Sequence, residues 1–106
     1  MPDSLGEFEQ LILLAIIRLG DDAYGVTIRT TLREIAGRVA SFGAIYSTLR
    51  RLEAKGLVRS RVGDPTPVRG GRGKKYVAMT ARGRQAIRES QRAFGRMAQG
   101  MRGIQD

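Results

Sequence analysis

The run LILLAII, Leu11 to Ile17, constrains the fold more than any other stretch. A helix opens between Ser4 and Gly6, with Ser4 as candidate cap and Glu7 and Glu9 near the positive end, and Gly20 closes it. Phe8, Leu11, Ile12, Ala15, Ile16 and Leu19 share one face, while Leu13, Leu14 and Ile17 lie on the other. A helix that is apolar nearly all round has to be covered on both sides. A chain of 106 residues holds one modest core and few elements to do the covering. A second copy is therefore expected over Leu13 and Ile17, the alternative being the chain's own C-terminal segment.

The same run is too short to cross a bilayer, which takes about 20 apolar residues. Glu7 and Glu9 stand where a secretory leader would be cationic, so a cytoplasmic location is expected. Nineteen Lys and Arg against ten Asp and Glu leave a net charge of +9, which favours nucleic acid as partner and still permits contact with anionic lipid. The chain has neither Cys nor His, so thiolate and imidazole chemistry are excluded. Asp21, Asp22 and Asp64 read as caps and turns. No enzyme activity, metal or cofactor is expected.

Ser41 to Val58, SFGAIYSTLRRLEAKGLV, reads as a helix capped by a hydroxyl and closed by Gly56. Phe42, Ile45, Leu49 and Leu52 form its apolar stripe, and Gly43, Ala44, Ser47, Arg50, Arg51 and Ala54 its outward face. Short side chains with two arginines suit a helix that must enter a DNA major groove roughly 12 Å wide. An ordinary surface helix with solvated arginines would look similar. Before it, GDDAYG gives a turn and a helix start with Asp22 as cap, and a second helix runs to about Ala36 with Tyr24, Ile28, Leu32 (or Thr31) and Ile35 inward. Gly37 ends it. Two helices parted by a short break match a helix-turn-helix.

Behind Gly56, LVRSRV and KKYVAMT bracket GDPTPVRGGRG, which predicts a long β-hairpin. Val58 and Val62 share one strand face, and Val77 and Met79 share another. Arg69, Arg72, Lys74 and Lys75 make the hairpin basic, as a wing that touches DNA would be. Thr80 then caps a last helix in which Ile87, Ser90, Phe94, Met97, Met101 and Ile104 recur at heptad-like spacing. This seam has the form of a dimerisation arm, with folding back onto its own domain as the alternative. The fold class is thus mainly α with a small hairpin (α+β): a winged helix-turn-helix over 1–79 and a dimerisation helix over 80–106.

The chain resembles the PadR family of winged helix-turn-helix regulators. The resemblance rests on LILLAII, DAYGVTI, FGAIYSTLRRLEAKGLV and GRGKKYVAMTARGR, and covers most of Leu5 to Arg88. It implies a homodimeric bacterial transcription regulator, usually a repressor, with the third helix in the major groove and the wing on the backbone or minor groove. On matching positions it implies phosphate or positioning contacts for Ser41 and Tyr46, a groove-facing surface at Gly43, Ala44 and Ser47, and a phosphate or guanine contact for Arg50. Arg72 and Lys74 fill the wing's role. The first and last helices would make the dimer, through Leu13, Ile17, Ile87, Phe94, Met97 and Met101. A small aromatic or drug-like effector would sit between those helices, near Phe8, Phe94 and Met97. A protein-binding winged-helix module and a nonspecific nucleic-acid-coating protein are the alternatives.

Overall fold

The computed structural model describes residues 4–63 and 74–104, with side chains described as far as residue 101. Helices α1 (Glu7–Leu19), α2 (Gly25–Ala36) and α3 (Phe42–Ala54) come first. An antiparallel hairpin of β1 (Val58–Val62) and β2 (Lys75–Met79) follows, then α4 (Ala81–Ala98). Short 3₁₀ turns occupy Gly20–Asp22 and Gln99–Ile104.

α1 runs through the centre, touching α2, α3, β2 and α4. Ile12, Leu13, Ala15 and Ile16 are buried in one core with Ile28, Ile45, Leu52, Val77 and Ile87. Leu13 is fully buried and Ile87 nearly so, which corrects their assignment to a surface shared between copies. The reason is tertiary: β2 and α4 fold back onto the side of α1 that three helices alone would leave open. Ile17, in contrast, remains 41% exposed.

The helix ends show where local signals decide and where they are displaced. Gly6, not Ser4, caps α1, and the Glu9 carboxylate accepts its N–H at 3.0 Å. Tyr24, not Asp22, caps α2, because the Thr27 hydroxyl accepts the Tyr24 N–H and donates to the Asp22 carbonyl. Ser41 caps α3 and Thr80 caps α4, as their sequence positions suggest. Gly56 closes α3 at φ 77°, in the left-handed region that glycine enters without penalty.

Three inward assignments shift. Ile35 lies beyond the core and borders an open groove with Leu14 and Ile17. Thr48 replaces Phe42 in the buried stripe of α3, and Phe42 is 38% exposed under the Arg29 guanidinium. Val58 pairs with Met79 and Ser60 with Val77 on the core face of the hairpin, but Val62 pairs with Lys75 where the hairpin has passed the core.

Glu9 is the main polar tie inside the domain. Its carboxylate accepts from Lys55 Nζ at 3.0 and 3.2 Å and lies 3.8 Å from Arg51 Nε, joining the start of α1 to the end of α3. Burial opposes the charged form, but the Gly6 amide, Lys55 and Arg51 outweigh it and hold the carboxyl below its ordinary value of 4.5. A depressed carboxyl stabilises the fold fully above that ordinary value, and the contribution is lost as pH falls through the lower, folded value. Glu9→Gln is therefore expected to lower stability at pH 7 and to flatten the acid limb below about pH 4.5 in urea titrations. An unchanged acid limb would show that Glu9 carries no such linkage.

Candidate nucleic-acid interface

The start of α3 is bare. Ser41 Oγ accepts the Ala44 N–H at 3.1 Å, and a Cβ added at Gly43 would meet nothing nearer than Ser41 Oγ at 3.9 Å. Gly43 and Ala44 are exposed, and Ser47 is half-exposed one turn on. The break before this helix is held by Arg29, whose Nε donates to the Ala40 carbonyl at 2.8 Å while its guanidinium covers the Phe42 ring.

Tyr46 has two surroundings at once. Its ring stacks on Phe42 with centroids 6.1 Å apart, and it lies so close to Gly25 that a Cβ there would fall 2.8 Å from two ring carbons. Gly25 is thus the point where α2 crosses α3, which accounts physically for glycine after Tyr24. The ring is still 43% exposed, leaving one edge to solvent.

Farther along α3, Tyr46, Arg50 and Lys75 line a cleft of about 310 Å³ between the helix and the hairpin. The acid in that cleft, Glu53, accepts from the Ser60 hydroxyl at 3.0 Å. Arg50 has no acidic partner among the described residues. Arg51 points differently: it turns to α1, donating to Thr48 Oγ1 at 3.1 Å and approaching Glu9. Its placement in the fold is that of a strut.

The hairpin is rooted in the turn before α2. Val77 N–H donates to the Ala23 carbonyl at 2.9 Å, and Tyr24 bridges Tyr76. Tyr24 and Tyr76 meet edge to face at 5.3 Å, with Lys74 over the first ring at 4.6 Å and Arg61 over the second at 4.8 Å. The Tyr24 hydroxyl accepts from Lys74 Nζ at 3.3 Å and holds that ammonium above its ordinary value. Sequence reasoning missed Arg29, Arg61, Tyr24 and Tyr76 in these supporting roles. Arg61 opposite Tyr76 would have been readable had the hairpin register been assigned. Arg69 and Arg72 lie outside the described residues.

The family described as "Transcriptional regulator PadR-like family" matches residues 13–89. The chain belongs to that family. Its fold is shared with solved PadR structures. A PadR family transcription regulator from Clostridium difficile R20291 superposes with a TM-score of 0.78 at 24% identity, over 95% of this chain and 100% of that one. A PadR-like transcriptional regulator from Bacillus cereus gives 0.73 at 23%, over 92% and 89%. A PadR family transcriptional regulator from Eggerthella lenta gives 0.69 at 26%, over 90% and 82%. No curated protein matches the sequence significantly.

In this PadR-like chain α4 begins inside the fold and ends outside it. Gly83 and Ile87 are buried, and Ser90 donates to Gln10 Oε1 at 2.6 Å. From residue 91 onward every described side chain is exposed, including Phe94, Met97 and Met101. A groove of about 560 Å³ runs between the start of α1 and α4, lined among others by Leu5, Gln10, Ala86, Ser90 and Phe94. Phe8 is not in it: its ring lies under Arg38 on another side of α1, with the guanidinium 5.5 Å away. Met97 lies beyond the groove's lining as well. No group of three Asp or Glu placed to hold a metal occurs among the described residues, and no described helix is long and apolar enough to cross a membrane.

Proposed function

We propose that the chain is a dimeric transcriptional repressor, a regulator and not an enzyme, acting on the bacterial nucleoid in the cytoplasm. It binds a palindromic operator with α3 in the major groove and the hairpin on the backbone. One observation carries this reading: exposed Gly43 and Ala44, half-exposed Ser47 and Arg50, which has no acidic partner among the described residues, follow one another along one side of α3, and Arg50 shares a cleft with Lys75, next to Lys74, at the loop end of the hairpin's strands. Small residues admit the helix to the groove, and the cations supply phosphate contacts whose strength falls steeply with salt. Ile17, Phe94, Met97 and Met101 leave large apolar side chains in water, which supports pairing of two copies through α1 and α4. Residues 1–79 then read DNA and 80–106 hold the pair, with half-sites about 34 Å apart.

The test is selection of bound fragments from the source genome, expected to yield a palindrome upstream of one operon. On that site Arg50→Ala should weaken binding by about 1–3 kcal/mol, roughly five- to 150-fold, in a gel-shift titration. Fragments without a shared sequence would sink the operator reading in favour of nonspecific coating, and an unaltered affinity would remove Arg50 from the site. The groove between α1 and α4 is the place for a small aromatic or drug-like effector, because Phe94 and Leu5 offer apolar wall beside the Gln10–Ser90 polar pair. Heat released with phenolic acids or cationic drugs, and lost in Phe94→Ala, would support it; silence across the panel would end it.

A further inference from the structure

Helix α4 carries arginine at every fourth position, Arg84, Arg88, Arg92 and Arg96, and all four are exposed. At about 100° per residue this row lies opposite the face that holds Gly83, Ile87, Phe94, Met97 and Met101. None of the four forms an ion pair among the described residues. The one acid of the helix, Glu89, accepts from Gln85 instead. Like charges four apart on a helix repel one another, and a face kept only for solubility mixes signs. A single-sign row is disfavoured in the free protein and favoured once a polyanion lies along it.

We infer that this row is a second DNA-binding surface, which grips the phosphate backbone of duplex outside the segment met by α3. The row is about 18 Å long and winds through roughly 120° of the helix surface from Arg84 to Arg96, as a strip that follows a curved strand would. It passes roughly five phosphates of one strand, spaced about 3.4 Å along the duplex axis. Guanidinium groups meet phosphate oxygens two at a time, which suits arginine better than lysine. Position separates it from the operator contact. Thr80 Oγ1 donates to the Gly56 carbonyl at 2.7 Å, so α4 starts at the C-terminal end of α3, whereas Gly43 and Ala44 are at the other end. Beyond residue 91 α4 leaves the body of the fold and carries the row away from it. If two copies join through the opposite, apolar face, both rows point outward, toward flanking DNA or a second duplex.

The inference rests on the DNA reading above only for the kind of polyanion. Its test compares the full chain with R84Q/R88Q/R92Q/R96Q on the selected site trimmed to its ends, on the same site with long flanks, and between bead-tethered and free duplexes. Loss of four phosphate contacts takes about 3.6 off the slope of log affinity against log salt. That loss is expected on the flanked fragment with trimmed-site affinity unchanged; loss of bridging between duplexes alone would assign the row to a second duplex and equally support it. Unchanged slope and bridging would overturn the inference and leave an acidic protein as occupant. Equal weakening on the trimmed site would also overturn it, by placing the row in the operator contact. Melting without DNA should hold or rise in the variant, because the repulsion is removed, so a folding defect is read separately. Should the wild type show no sequence preference, the operator reading fails, while the slope on any long duplex still decides the row.

Discussion

Ala44→Glu is expected to abolish operator binding while raising the melting temperature of the free protein. Ala44 is the third residue of α3, exposed, and its N–H is the one that Ser41 caps. A glutamate at that position can reach back to the Ser41 N–H and complete a reciprocal cap, and its charge lies at the positive end of the helix. Both effects stabilise the fold, together by about 0.5–1 kcal/mol. On DNA the same carboxylate would stand at the leading end of the helix against the phosphate-lined groove. Like-charge juxtaposition across an interface costs several kcal/mol, so about 4 kcal/mol and a thousand-fold loss is expected. Fragment binding and a thermal melt on the same preparation check both halves. Full affinity in a folded variant would mean that the Ser41 end of α3 does not enter the groove.

Gly83→Ala should be the most damaging single methyl in the chain. Gly83 is buried at the first turn of α4, and a Cβ there would land on the Leu57 carbonyl oxygen, with the Leu57 carbonyl carbon 2.9 Å and Met79 Cε 3.2 Å away. The obstacle is backbone, which cannot rotate aside as a side chain can. That carbonyl also accepts the Thr80 N–H at 3.1 Å, so displacing α4 breaks the junction of α3, β1 and α4. A loss of about 3 kcal/mol is expected, and a fall in melting temperature of more than about 10 °C. Gly95→Ala serves as control: a Cβ there meets nothing within 4 Å, and helix propensity favours alanine, so that variant should be neutral or stabilised. Equal stability of the two variants would show that the close approach at Gly83 relaxes freely.

These positions also show what the sequence made legible. Ser41, Gly56 and Thr80 work through bonds to residues within a few positions, so their roles follow from residue type and spacing. The stretch GRGKKYVAMTARGR is one of those that carry the family resemblance, and the close approach of Gly83 to the Leu57 carbonyl gives a physical reason for its last glycine. The remainder depends on partners far along the chain. Glu9 meets Lys55 across 46 positions and Gln10 meets Ser90 across 80, and no periodicity announces either. A helical wheel leaves Leu13 open to either a second copy or the chain's own C-terminal segment, and only the packing of β2 and α4 on α1 decides for the latter. Arg51 shares the outward side of the wheel with Arg50, and only the position of Glu9 turns it toward α1.

The root of the hairpin has a consequence for binding entropy. With the Val77 N–H bonded to the Ala23 carbonyl and Tyr24 bridged to Tyr76, the short segment before α2 lies along β2 like the beginning of a third strand and ties the hairpin to the start of α2. Lys74 is further restrained over the Tyr24 ring. Immobilising a flexible lysine on association commonly costs about 0.5–1.5 kcal/mol. At Lys74 part of that ordering is completed when the chain folds, so in the proposed DNA-binding role its contribution to affinity would be set by the rigidity of two tyrosines that need not touch the DNA.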